Sequence, residues 1–218
     1  MIRYIRSILI AIYIRVKKAF VLRNIAGFGG AQDETFLKLQ INRFFDHIGL
    51  DNSLTHTKYI LPVISNLNGI NKDSKILLVG PCNYKELDAF ENLGYHNYDA
   101  VDLVSVDPRI SVMDMHNLTF PDDTYDLVYA TNVLHCSKTP KLAGNSLYRV
   151  TKKGGYLVLG VTIDLPKDDP IYATDYRSLD GLLAIFPNQL RVIYNKIIDP
   201  ESKENPHGNR FIKCIVQV

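Results

Sequence analysis

From Lys75 onward the chain alternates short apolar runs with helix-patterned segments, and this alternation narrows the fold more than any other feature. Apolar, β-favouring runs fall at 75–80, 97–102, 125–130 and 155–163, with a short ISVMDM run at 110–115. Helical spacing appears at 84–93, 138–151 and 178–186. Two more strand-like runs, 190–198 and 210–218, flank PESKENPHGN, a stretch rich in turn formers that reads as a hairpin connection. Strands separated by helices imply a mostly parallel sheet covered on both faces, and the terminal hairpin adds an antiparallel edge. The fold class expected is therefore α/β, Rossmann-like, with a seven-stranded sheet and additional helices at the N-terminus.

In such a sheet ligands bind beyond the carboxyl ends of the strands, at the switch point beside the first strand. Three features meet that rule. In KILLVGPCNYKE the apolar run Ile76–Val79 ends at Gly80, ahead of a helix start. Asp102 closes the second run, where a carboxylate can accept both hydroxyls of a ribose. Asp114 and Met115 follow the third run, where a polar group and an apolar surface suit an adenine. Taken singly, each has a plainer reading as a turn glycine, a helix cap and a core methionine.

The flanking residues divide the chain into three parts: 1–32, 33–70 and 71–218. The first 32 residues hold Arg3, Arg6, Arg15, Lys17, Lys18 and Arg23 and no acid; the remainder has 19 basic residues against 23 acids. A near −4 body speaks against nucleic-acid binding, which needs a broad basic surface. At 100° per residue Ile2, Ile5, Ile8, Leu9, Ile12, Tyr13, Val16, Ala19 and Phe20 share one face of a helix, with Arg3, Arg6, Lys17 and Lys18 opposite. Two readings follow: a basic amphipathic helix lying through residues 1–23 on an anionic membrane surface, or a helix packed on the domain or across a homodimer. The run Ile8–Ile14 is too short to span a bilayer. No small-residue cleavage site follows it, so a cytoplasmic chain is expected, peripheral on the inner face of the membrane if the arm docks. NIAGFGGAQ (24–32) is the candidate linker, and 34–49 and 55–68 read as helices, the second interrupted near Pro62. Cys82, Cys136 and Cys214 form no CxxC pair, and no metal-ligand spacing is present, so neither a disulfide scaffold nor a metal centre is expected.

The stretch from Lys75 to Ile163 resembles the class I S-adenosyl-L-methionine-dependent methyltransferases, especially those acting on sugars and small molecules. The most specific match is FPDDTYDLVYATNVLHC followed by LYRVTKKGGYLVL, in which Pro121, Asp122, Asp126, Leu134, His135, Arg149, Val150, Gly154 and Gly155 stand where the family pattern has them. The likeness covers about two-thirds of the chain, with the first 70 residues outside it. The cofactor loop departs from the family: Leu78 stands for the usual acid, Cys82 and Tyr84 for two glycines, and only Gly80 remains. GPCNYKE is nonetheless similar to methyltransferase-like sequences reading GPRNE at this place. The resemblance implies S-adenosyl-L-methionine as cofactor, held by Gly80, Pro81, Asn83, Glu86, Asp102, Leu103, Asp114, Met115 and Asn132, with Glu86 standing in for the missing acid.

On the acceptor side, TIDLPKDDPIYATDYRS concentrates carboxylates and rings, which suit the hydroxyls and apolar faces of a sugar. Methyl transfer to oxygen needs a base near the hydroxyl; His135 and Asp164 are the candidates, with Tyr172, Tyr176 and Arg177 as substrate contacts. The expected function is O-methylation of a sugar or cell-surface glycan precursor, as in polysaccharide biosynthesis. Two other readings stay open: a non-catalytic methyltransferase-like subunit that binds a protein partner, and a methyltransferase for another small metabolite.

Overall fold

A computed structural model describes residues 12–19, 21, 34–47, 54–81, 84–165, 172–200 and 209–218. Residues 12–19 form helix α1, with Val21 also helical. Then come α2 (Glu34–His47), α3 (Leu54–Ile64), β1 (Ile76–Val79), α4 (Tyr84–Asn92), β2 (Tyr98–Asp102), β3 (Ile110–Val112), β4 (Tyr125–Thr131), α5 (Pro140–Val150), β5 (Thr151–Thr162), α6 (Leu179–Leu183), β6 (Arg191–Ile198) and β7 (Phe211–Gln217). Short 3-10 turns lie at Met115–Asn117 and Leu134–Cys136.

The seven strands form one sheet in the order β3-β2-β1-β4-β5-β7-β6. Pairings from β3 to β5 are parallel, and β7 runs antiparallel to both β5 and β6. All four β1 residues are buried, as a continuous apolar run covered on both faces requires. Its side chains alternate: Leu77 and Val79 enter one core with α5 and α6, while Ile76 and Leu78 enter the other with α3 and α4. Sequence order reverses between β1 and β4, so their connections leave in opposite directions and open a crevice at their carboxyl ends.

A third apolar cluster closes that crevice from above. It joins Val21 to Leu37, Ile41, Phe44 and Phe45 of α2 and to Val104 after β2, with Ile14 of α1 packed against it. Most expected element positions agree with the structure. β5 begins at Thr151, earlier than position 155, because Thr151 pairs with Tyr125 across a bulge and Lys152 reaches Asp126 at 2.8 Å. This pairing and this ion pair recruit the charged Lys-Lys-Gly-Gly run into a strand that hydropathy alone does not show. Expected helix 55–68 ends at Ile64, and 178–186 is helical only over Leu179–Leu183, capped by the Ser178 hydroxyl accepting from the Gly181 amide.

Candidate active site

A cavity of about 210 Å³ fills the crevice. Its floor is Val79 and Gly80 of the β1 end; one wall is Val101, Asp102, Leu103 and Val104; a second is Asn132, Val133 and Cys136 after β4. Met113 and Met115 close the far end, and Gln40, Ile41, Arg43 and Phe44 of α2 form the roof.

Each wall residue is placed by backbone geometry at a strand end. Gly80 takes φ +71°, and a Cβ there would stand 2.7 Å from Cγ2 of Val133. Both facts require glycine: the left-handed backbone and the contact with the β4 turn leave no room for a side chain. The Gly80 amide is anchored to the Val101 carbonyl at 2.8 Å, so the turn is tied to β2. Asp102 presents its carboxyl at the β2 end, one oxygen accepting the Leu103 amide at 2.7 Å. Asn132 lies at φ +59°, a conformation Asn tolerates better than most side chains. Pro81 is buried beside Gly80; Cys82 and Asn83 lie outside the described residues.

Behind the walls are two buried hydrogen-bond networks. The first is in the order Asp–His–Ser: Asp114 Oδ1 lies 2.5 Å from His116 Nδ1, and His116 Nε2 lies 2.7 Å from Ser137 Oγ. Asp114 also caps its own turn by accepting the His116 amide at 2.9 Å. All three side chains are buried, so this arrangement braces the methionine-bearing turn against the turn after β4 and offers no exposed nucleophile. Asp114 itself is not among the cavity-lining residues, although Met113 and Met115 on either side of it are.

The second network is Glu86. Its carboxylate accepts the Thr57 hydroxyl at 2.5 Å, and that hydroxyl is also 2.9 Å from the Tyr129 hydroxyl. Burial pushes the Glu86 carboxyl up to about 7, against lowering by the Thr57 and Tyr129 hydroxyls, with the negative charge of Asp102 adding to the rise. Leu78, standing where the family has an acid, packs in the same core as Leu87 and Phe90 beside it. Glu86 thus supplies a carboxyl behind the loop, not on the cavity wall.

The turn after β4 is held from every side. The Leu134 carbonyl accepts the Tyr176 hydroxyl at 3.1 Å, and the His135 carbonyl accepts the Ala173 amide at 2.9 Å. The Cys136 carbonyl accepts Gln40 Nε2 at 2.7 Å, and the Ser137 carbonyl accepts Thr174 Oγ1 at 2.7 Å. His135 is buried against the Tyr172 ring, edge-on with centroids 5.1 Å apart, one residue from the cavity wall but not lining it. Tyr176 is buried too, and burial pushes its phenol well above its ordinary range. Asp164 and Arg177 are exposed; the first lies 3.5 Å from Arg210 and the second pairs with Asp175 at 3.2 Å. The structure therefore gathers Gly80, Asp102, Leu103, Met115 and Asn132 around one cavity and leaves the five acceptor-side residues off its wall.

Gln40, Arg43 and Phe44 in the roof, and His116 and Ser137 behind the walls, are not legible from the sequence. Helical spacing marked α2 as amphipathic, yet nothing in the sequence says that it crosses the strand ends. Among the described residues no group of side chains has the makings of a metal site.

Residues 77–159 match the family model described as a methyltransferase domain. Solved structures with the same fold include a 1,6-didemethyltoxoflavin-N1-methyltransferase of Burkholderia thailandensis bound to 1,6-didemethyltoxoflavin and S-adenosylhomocysteine (12% identity, 87% of this chain and 91% of that one, TM-score 0.66). A SAM-dependent methyltransferase from Aquifex aeolicus aligns over 81% of this chain and 97% of its own (14% identity, TM-score 0.56). A protein in complex with the Trm112 methyltransferase activator of Haloferax volcanii aligns over 80% and 92% (14% identity, TM-score 0.60). No curated protein matches the sequence. Residues 77–159 thus match a methyltransferase domain, and they lie within the Rossmann-like α/β fold that this chain shares with S-adenosyl-L-methionine-dependent methyltransferases.

The donor set suits that cofactor: a carboxylate at the β2 end for ribose hydroxyls, a methionine pair for a flat apolar ring, and a glycine turn where a Cβ would collide.

Proposed function

We propose that this protein methylates a hydroxyl of a sugar or cell-surface glycan precursor by direct in-line transfer. The observation that carries the methyl-transfer part is the cavity lined jointly by Gly80, Asp102, Met115 and Asn132 at the strand-order reversal. S-adenosyl-L-methionine, when bound, supplies a methyl group on a positively charged sulfur. Asp102 accepts the ribose hydroxyls, with Leu103 beside it. Met113 and Met115 sandwich the adenine, and Asp114, fixed by His116, orients its polar edge. Gly80 and Pro81 shape the floor, while Asn83 and Asn132 offer amide groups to the methionyl end; Glu86 supports the loop from behind.

The acceptor oxygen must give up its proton as it takes the methyl group. His135 and Asp164 are the proposed bases, and Tyr172, Tyr176 and Arg177 the proposed sugar contacts. Support for a sugar comes from the carboxylates and rings of residues 164–177 and from the way Ala173, Thr174 and Tyr176 grip the turn beside the cavity.

The test is calorimetric titration of S-adenosylhomocysteine into the wild type and Asp102→Ala, followed by radiolabelled methyl transfer to nucleotide sugars and lipid-linked glycans. Micromolar binding that is lost in the variant supports the cofactor site, and label in a glycan supports the acceptor class. A folded wild type that binds no S-adenosylhomocysteine refutes the enzyme and favours a partner-binding role.

A further inference from the structure

Helix α1 is packed the wrong way round for an ordinary surface helix. Ile14 and Val21 turn inward onto the cluster that includes Leu37, Ile41, Phe44 and Phe45, and Lys18 lies over the Phe45 ring at 5.9 Å. At 100° per residue, the opposite direction belongs to Ile12, Val16 and Ala19, with Tyr13 on one flank. Ile12, Tyr13 and Val16 are 51%, 52% and 64% exposed, and Ala19 is exposed with them. The helix buries its mixed side and shows water its apolar side.

A contiguous apolar strip facing outward marks a binding surface, and charge decides what binds. Arg15 borders the strip on one side and Lys17 on the other, and residues 1–32 hold six cations and no acid. A second copy of the chain laid face to face would set these cations against each other. An anionic bilayer offers both components that the helix lacks: an apolar layer for Ile12, Val16 and Tyr13, and negative headgroups for the flanking cations.

We propose that the outer face of α1 docks in the plane of an anionic bilayer. Ile41 and Phe44 belong both to the cluster under α1 and to the cavity roof, so docking holds the cavity at the membrane surface. A membrane-borne acceptor follows; that last statement alone rests on the methyl-transfer reading given above.

The experiment is co-sedimentation of the full chain with phosphatidylcholine vesicles, with and without phosphatidylglycerol, alongside titration of S-adenosylhomocysteine on each variant. Binding is expected only to the anionic vesicles, weakening as salt rises. Val16→Asp is expected to lower the vesicle partition constant at least about tenfold, since it sets a charge in the apolar strip. Arg15→Glu with Lys17→Glu is expected to do the same, and Ile12→Ser with Val16→Ser serves if the aspartate unfolds the chain. Equal binding to neutral vesicles, or no loss in any of these variants, overturns the proposal. So does a dimer in lipid-free solution that Val16→Asp dissociates, which would give the strip to a second copy. Vesicle binding that fails while S-adenosylhomocysteine still binds sinks this inference alone, and the reverse result sinks the methyl-transfer reading alone.

Discussion

Glu86 is a buried carboxyl whose proton affinity can be read directly in the stability of the fold. Its folded-state value of about 7 lies above the ordinary 4.5. Below pH 4.5 both folded and unfolded chains hold the proton, and the fold keeps its full stability at this site. Between 4.5 and 7 the folded chain holds more proton than the unfolded one, so stability falls as pH rises through that window. Above 7 both forms are ionised and the loss is complete. At 1.36 kcal/mol per unit, the loss amounts to about 3 kcal/mol. Glu86→Gln keeps the shape and the neutral state, and Thr57 and Tyr129 hydroxyls remain to accept from its amide. The variant is therefore expected to be less pH-sensitive and, at pH 8, more stable than the wild type by up to that amount. Urea unfolding of both proteins at pH 5, 6, 7 and 8 measures it, and the difference between them cancels the histidines they share. Parallel stability curves across the range would refute the burial argument, because they would mean that Glu86 ionises in the fold as freely as in the unfolded chain.

Other perturbations follow from the site geometry. Asp102→Ala is expected to weaken S-adenosylhomocysteine binding more than tenfold, with thermal unfolding little changed, since its side chain is partly buried and the bond it gives up to the Leu103 amide is a local one. Gly80→Ala is expected to cost about 1–3 kcal/mol from the left-handed φ alone, plus the collision with Val133; Val133→Ala in the same chain should recover the collision and not the backbone part, as read from urea midpoints. Arg149→Met removes donors to the Leu118 and Phe120 carbonyls and to Asp122, and about 2 kcal/mol of stability is expected to go, discounted for partial exposure. His116→Leu leaves Asp114 and Ser137 buried and unpaired in part; a stability loss of about 2–3 kcal/mol is expected, together with weaker S-adenosylhomocysteine binding by calorimetry.

How far the sequence foretold these features depends on the range of the interaction involved. β1 was legible because a four-residue apolar run ending in glycine is a local signal, and its place in the sheet follows from strand alternation. Asp102 and Met115 were legible for the same reason: topology puts strand ends together, so a residue at a strand end needs no further information to be near the crevice. The roof was not legible. Gln40 and Phe44 reach the cavity only because Leu37, Ile41 and Phe45 find Val104, a contact spanning some sixty residues of sequence that no local pattern encodes. The His116–Ser137 bond, 21 residues apart, and the Thr57–Glu86 bond, 29 apart, are of the same kind. The acceptor-side set runs the other way, since residue types suited to sugar recognition mark chemistry without fixing where a loop folds. His135 and Tyr176 turn inward to pack, and Asp164 and Arg177 turn to water.

Helix α1 shows why amphipathicity alone does not settle orientation. Its spacing foretold an apolar face, and the ordinary expectation is that such a face packs on the domain. What α2 presents, however, includes the Phe44–Phe45 pair, its rings edge to face with centroids 5.1 Å apart. An aromatic ring accepts a lysine as readily as an aliphatic side chain, since the cation sits over the ring while its stem covers apolar surface. Lys18 takes that place over Phe45, flanked by Ile14 and Val21, so the mixed face of α1 is a sufficient partner for α2. The wholly apolar face is thereby left for a surface with no rings to satisfy and with negative charge at its margin. That division of one helix between two partners is what the Val16→Asp measurement reads, because Val16 points to the second partner and lies outside the cluster shared with the first.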